Sequence, residues 1–171
     1  MKKLIIAGGS GFLGDALINY FGKKFDEYVI LSRSPKPNKG NVKHVVWDAK
    51  TLGDWSQHLE DADCVINLCG RSVDCRYTDK NKALIFSSRL DSTAVLGKAI
   101  ANCKSSPKVW MNAASATIYR YSEDKVMTET DGEIGNGFSI EVCKAWEKVF
   151  NEAESPNTRK INLRISMVMG K

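Results

Sequence analysis

Two histidines, His44 and His58, five cysteines and no Cys-x-x-Cys pair are all that this chain offers a metal ion. A zinc site needs clustered His and Cys ligands, so none is expected. The cysteines, at 64, 69, 75, 103 and 143, are odd in number and show no disulfide spacing, which points to reduced thiols in a cytoplasm. Long apolar runs are also missing, and none approaches the ~20 residues of a membrane span. The start, MKKLIIAGG, carries two lysines before a short apolar run, as a secretory signal does. That run breaks into glycine after Ala7 without a small-residue cleavage site, and it reads as a buried first strand. Charge of one sign is scarce as well. The net +5 comes from 25 basic and 20 acidic residues with no long Lys/Arg run, which speaks against a nucleic-acid partner. No repeat, low-complexity tract or linker divides the 171 residues, so one domain with a real core is expected.

What is present is alternation. Strand-length apolar runs at 4–8, 28–32, 42–47, 64–68, 108–114 and 160–165 are separated by helical patterns at 12–21, 79–103 and 137–150. A shorter helix is expected around 54–60, and Gly22 stands as the stop of the first. Near-continuous apolar strands joined by helices imply a parallel sheet covered on both faces. The fold class is α/β, a Rossmann-type doubly wound parallel sheet in three α/β/α layers.

AGGSGFLG sets Gly8, Gly11 and Gly14 at G-x-x-G-x-x-G spacing between the first strand and first helix. Glycine there permits a tight turn and lets backbone approach a pyrophosphate, which the positive helix end attracts. The loop Gly8, Gly9, Ser10, Gly11, Phe12, Leu13, Gly14 is thus a dinucleotide-binding candidate, with an incidental turn as the alternative. About 20 residues on, where an NAD site carries Asp or Glu for the ribose, the sequence reads Leu31-Ser32-Arg33-Ser34. Arg33 can pair with a 2′-phosphate, and Ser32 and Ser34 can donate to it, so NADP is favoured over NAD. A solvated surface arginine is the competing reading.

With these motifs and Asn67-Leu68-Cys69-Gly70 in register, the chain resembles the extended short-chain dehydrogenase/reductase superfamily. NLCGRSVDCRYTDKNKALIFSSRLDST, SATIYRY and FSIEVCKAWE narrow the resemblance to an atypical, sugar-nucleotide epimerase-like subfamily. The resemblance covers the whole chain. It implies that residues 1–171 are the NAD(P)-binding domain and that the family's C-terminal substrate region is absent. It places cofactor contacts on the Gly8–Gly14 loop, Ser32, Arg33, Leu68, Cys69, Gly70, Arg89, Lys144 and Val168. Cys69 stands where the family usually has alanine, at a tight approach to the cofactor. Asp48 stands where related enzymes often contact the adenine, or it is a strand-end turn residue. Arg76, Lys80 and Lys82 could face an anionic substrate, though a solvated helix face accounts for them better.

In GFSIEVCKAWEKVF (137–150), Val142, Ala145, Trp146, Val149 and Phe150 make one apolar stripe at 100° per residue. Ile140 and Lys144 fall off it, and the resemblance gives the reason: their face borders the cofactor cleft. In the superfamily a tyrosine moves the proton, a lysine four residues later holds the nicotinamide ribose, and a serine ends the fifth strand. A phenol, with pKa ≈ 10, is a poor base near neutrality until a cation stabilises its phenolate. Ser115 and Lys144 occupy the serine and lysine places as catalytic candidates, and the tyrosine place is Ile140. Tyr119 and Tyr121 are the nearest phenols, though either could be a half-buried loop aromatic. Glu141 and Glu147 read as solvated helix residues. The resemblance therefore implies an NADP-dependent oxidoreductase or epimerase acting on a nucleotide-sugar-like small molecule. The alternative is a non-catalytic dinucleotide-binding sensor or scaffold, and a homodimer is left open.

Overall fold

The computed structural model describes residues 1–170. The six strands are β1 (Lys3–Ala7), β2 (Glu27–Ser32), β3 (Val42–Val46), β4 (Cys64–Asn67), β5 (Val109–Ser115) and β6 (Arg159–Ile165). All pair in parallel, in the order β3-β2-β1-β4-β5-β6. The helices are α1 (Phe12–Phe21), α2 (Asp79–Ala101) and α3 (Phe138–Glu152). The segment Asp54–Leu59 is a 3-10 helix rather than an α-helix.

Alternate residues of β1 serve opposite faces of the sheet, because successive side chains in a strand point to opposite sides. Leu4 and Ile6, with Tyr28, Ile30, Cys64 and Ile66, receive Leu17, Ile18 and Phe21 of α1. Ile5 and Ala7 join Val29, Leu31 and Val65 under Leu96 and Ile100 of α2 and Phe150 of α3. Trp110, fully buried, meets the Phe150 ring edge-on at 4.5 Å between centroids. The result is the expected three-layer, doubly wound arrangement. A core of this kind drives the fold because each fully buried Leu, Ile or Phe contributes about 1.5–3 kcal/mol.

Helix boundaries follow local chemistry. Gly22, with φ of 50°, ends α1 in a left-handed conformation that only glycine adopts cheaply. Thr78 caps α2, its hydroxyl accepting from the Asn81 N–H. Because every strand is parallel, the carboxyl ends of all six share one edge of the sheet. The order reverses between β1 and β4, and a crevice opens there, as in open α/β sheets generally.

Candidate functional site

The crevice is a cleft of about 480 Å³. Gly8, Ser10 and Gly11 wall it from the β1–α1 turn, Ser32 and Arg33 from the end of β2, and Leu68, Cys69 and Gly70 from the end of β4. Trp47, Asp48, Ala49 and Lys50 close it beyond β3, and Arg71 joins the rim. Eight of the residues expected to contact a dinucleotide thus meet around one space.

The glycines of the turn do different jobs. Gly8 has φ of 73°, and a Cβ there would meet Cys69 Sγ at 2.9 Å. A Cβ on Gly14 would lie 1.9 Å from the Gly9 carbonyl oxygen, so the first turn of α1 can seat against the loop only without one. Gly11, the residue preceding α1, has an ordinary negative φ, and a Cβ there would meet nothing within 4 Å. The chain itself therefore requires Gly8 and Gly14. Gly11 leaves open space at the amino end of a helix, whose first amides lack intrahelical acceptors and attract anions.

Charge at this cleft is mixed, Arg33, Lys50 and Arg71 standing against Asp48 and Asp91. Arg33 and Lys50 are exposed on the β2–β3 side, and Lys36 reaches across to donate to the Ser10 carbonyl at 2.9 Å. Of the two acids, Asp48 is occupied: its carboxylate accepts from the Lys50 and Thr51 amides (2.8 and 2.9 Å) and the Thr51 hydroxyl (2.7 Å). Those bonds, led by the Thr51 hydroxyl, lower its pKa to about 2. Ala49 completes this turn at φ of 62°, a left-handed backbone rare for a residue with a Cβ. Ser32 spends its proton on the Ser34 carbonyl at 2.7 Å. Cys69 is buried beside the loop, and burial pushes its thiol up to about 12.

Arg89 stands behind the Gly70 segment instead of on the cleft wall. Its Nη1 donates to the Arg71 and Ile85 carbonyls, each at 3.1 Å, and its guanidinium lies 5.2 Å from the Trp146 ring centre. Ser88 accepts from the Arg71 N–H at 2.9 Å, so two residues of α2 pin this segment.

A second cavity, about 670 Å³, lies at the ends of β5 and β6. Ile140 of α3 faces it, opposite Tyr119, Arg120 and Tyr121 of the loop after β5, with Arg164 and Ser166 from the β6 side. Ile140 thus borders an opening, but one separate from the cleft at the glycine turn, where its face of α3 was expected. Lys144 lines neither cavity and pairs with Glu141 at 3.0 Å. Ser115 accepts from the Thr117 N–H at 3.2 Å and donates to the Thr117 hydroxyl at 2.9 Å, capping the short 3-10 turn Ala116–Ile118. Val168 is exposed in the segment after β6, and Phe12 is half exposed beneath Gly170 of the same segment. Arg76 and Lys80 are exposed, and Lys82 lies 5.5 Å from the centre of the Phe138 ring.

Glu147 corrects the sequence reading. It is 8% exposed, and its carboxylate accepts from Arg164 twice, Nε to Oε1 at 2.8 Å and Nη2 to Oε2 at 2.9 Å. Arg164 Nη1 donates to the Tyr119 hydroxyl at 2.5 Å. This carboxylate, with the Tyr119 contact, raises the guanidinium pKa further above its ordinary value. The sequence reading also passed over a buried polar network. Asn67 donates to Thr93 (3.0 Å) and to Asn112 (2.8 Å), and Trp146 Nε1 donates to Thr93 at 2.9 Å.

Comparison with known proteins places this geometry. Residues 4–171 match the family model described as the NAD dependent epimerase/dehydratase family. The epimerase family protein YfhF of Bacillus subtilis is 30% identical over 168 residues, 98% of this chain and 55% of that protein. The epimerase family protein SA0724 of Staphylococcus aureus is 32% identical over 173 residues, 99% of this chain and 56% of that protein. The chain spans about half the length of the curated relatives it matches. Among solved structures, human epimerase family protein SDR39U1 with NADPH superposes with a TM-score of 0.78 at 24% identity, over 95% of this chain and 52% of that one. UDP-glucuronic acid 4-epimerase from Bacillus cereus in complex with NAD gives 0.78 at 17% identity, over 98% and 57%. At those identities the likeness is one of fold.

Proposed function

The chain belongs to the NAD dependent epimerase/dehydratase family, and on that premise we propose that it binds NADP and takes part in oxidoreduction or epimerisation of a nucleotide-sugar-like substrate. The observation that carries this is Gly11, a glycine the fold does not need, opening the cleft at the amino end of α1. The cradle fits a pyrophosphate: backbone amides face an unfilled space that any side chain would occupy. Arg33, with no acid beside it in the ribose position, would take the 2′-phosphate, with Lys50 adding charge on the same rim. Leu68 to Gly70 would flank the remainder of the dinucleotide, and Arg89 would act by holding that segment from behind.

When bound, such a dinucleotide accepts or returns a hydride. The chain's own part is to orient it, to exclude water from the β4 and β5 ends, and to manage the proton of the substrate oxygen. Ser115 would hydrogen-bond that oxygen once its contact with Thr117 is exchanged. Lys144 would hold the nicotinamide ribose after release from Glu141. The relatives' additional length would supply the substrate-choosing region, and residues 1–171 the dinucleotide half. Structures of similar fold carry UDP-glucuronic acid and UDP-glucose, which makes a nucleotide sugar the first substrate class to try. Five free cysteines suit a reducing cytoplasm.

Trp47, on the cleft wall, is a built-in reporter. Titration of its fluorescence with NADP and NAD should show tighter binding of NADP, after which nucleotide sugars are screened for reduced nicotinamide absorbance. Absence of binding by either dinucleotide overturns the reading. Binding without turnover would favour the sensor or scaffold.

A further inference from the structure

The second cavity poses a chemical problem for that function, because Ile140, on its α3 wall, cannot carry a proton. Several other groups facing it are already committed. Tyr121 is exposed, and its hydroxyl donates to Glu123, whose carboxylate pushes the phenol above its ordinary range. Lys125 is paired with Glu133 at 3.0 Å, and Arg120 with the same carboxylate. Glu129 is solvent-exposed.

Tyr119 differs from all of these. Its ring is fixed on one side by Gly132, where a Cβ would come within 2.2 Å of Cε1, and its backbone bridges to Ile134. Its oxygen accepts from the Arg164 guanidinium at 2.5 Å, and its own proton has no acceptor among the described residues. A permanent cation at that distance stabilises negative charge on the oxygen when the proton leaves. The cation is itself held by a buried, bidentate carboxylate from α3. A buried ion pair is weak evidence for stability, since desolvation offsets its attraction, so its use at a cavity wall calls for another reason.

Resting on the function proposed above, we propose that Tyr119 is the proton-transferring residue of the second cavity, with Arg164 holding the charge on its oxygen and Glu147 positioning Arg164. In the reducing direction the Tyr119 O–H bond breaks, and its proton bonds to the substrate carbonyl oxygen. The carbonyl carbon takes a hydride from the reduced nicotinamide dinucleotide, giving an alcohol. The phenolate left behind is held by Arg164 and regains its proton from solvent or in the reverse reaction.

Tetranitromethane, which nitrates phenolates, tests this without any substrate. The five tyrosines (20, 28, 77, 119 and 121) are resolved by peptide mass mapping. Tyr119 should be nitrated about tenfold faster than the more exposed Tyr20, the yield of one charge-assisted hydrogen bond. Replacing both partners, Glu147→Met with Arg164→Met, leaves no lone buried charge and should bring Tyr119 to the Tyr20 rate or below. Nitration of Tyr119 no faster than Tyr20 in the native protein overturns the proposal whether or not the double variant folds. So does a rate unchanged in the folded double variant. Tyr119→Phe should keep NADP affinity within about twofold; a larger loss would make Tyr119 a binding residue instead and overturn the assignment. Failure of the native protein to bind either dinucleotide would instead count against the function on which this rests, leaving the nitration comparison to be judged separately.

Discussion

The two cavities at the carboxyl edge of the sheet are built by opposite means. The first is made of backbone: a glycine turn, the amino end of α1, and a strand end pinned by α2. The second is walled by side chains from separate stretches, Tyr119 and Arg164 among them, with Glu147 of α3 holding Arg164 from behind. A backbone cleft needs few particular side chains to exist, so its residues are free to serve a ligand. A side-chain cavity must also hold itself together, and its residues answer for folding and chemistry at once.

That contrast can be broken most directly at Arg164. Arg164→Met strands Glu147 without its cation in a buried setting and should cost about 3–5 kcal/mol. Chemical denaturation reads the loss, and dinucleotide affinity in the folded fraction should be unchanged. A loss below about 1 kcal/mol, the range of a surface pair, would mean the second cavity does not depend on its ion pair.

Gly11→Val should do the reverse, lowering affinity for both dinucleotides by more than about a hundredfold, or ~2.7 kcal/mol, with little change in unfolding. Gly14→Ala is its control, expected to destabilise the fold because the added methyl meets the Gly9 carbonyl. If Gly11→Val instead unfolds the domain and binds normally where folded, the first cleft is only a turn.

A smaller effect is expected at Arg33. Its replacement by alanine should weaken NADP about tenfold, ~1.4 kcal/mol, and leave NAD as it was. Calorimetric titration of both dinucleotides against both proteins measures this, and an equal loss for each would remove Arg33 from the phosphate.

The smallest effect belongs to Asp48. Its carboxyl is held at about 2, below the ordinary 3.8, by the Thr51 hydroxyl and neighbouring amides. Its contribution is therefore complete above about pH 4 and is lost as pH falls toward 2. Asp48→Asn should flatten the acid limb of the thermal midpoint between those values. An identical limb in the variant would show that the turn beyond β3 is not held by that charge.

How much of this could be read from the chain divides along the same line. The strands and α-helices lie within about two residues of their apolar runs, since period-two burial and helical stripes are local signals. The short helix at Asp54–Leu59 was legible, but its 3-10 type was not, because six residues are too few to show a period. The cleft was legible at Gly8, Gly11, Gly14 and Arg33 because adjacent residues make it. Which glycine serves the fold and which stands open depends on atoms of Cys69 and Gly9 across the turn, and spacing is silent on that. Glu147 lies off the main apolar stripe of α3 and so resembles a solvated residue in the sequence. Yet it lies four residues after Cys143 and three before Phe150, both buried. Arg164 likewise stands between Leu163 and Ile165 in β6. An acid and a base, each set among apolar residues, were the available signal for a pair. The orientation of Ser115 toward Thr117, and of Lys144 toward Glu141, depends on contacts that no motif specifies.

The polar network under the site has a mechanical consequence. Asn67 on β4, Thr93 on α2, Asn112 on β5 and Trp146 on α3 share hydrogen bonds buried from the solvent that could otherwise replace a lost partner. Moving any one of the four elements strands donors and acceptors on the others, so small independent displacements are uphill and a collective one is the least costly. These elements should open to solvent as one cooperative unit, their central amides exchanging hydrogen only near the free energy of global unfolding. The end of β4 at one cavity and the end of β5 at the other thus rest on the same buried network.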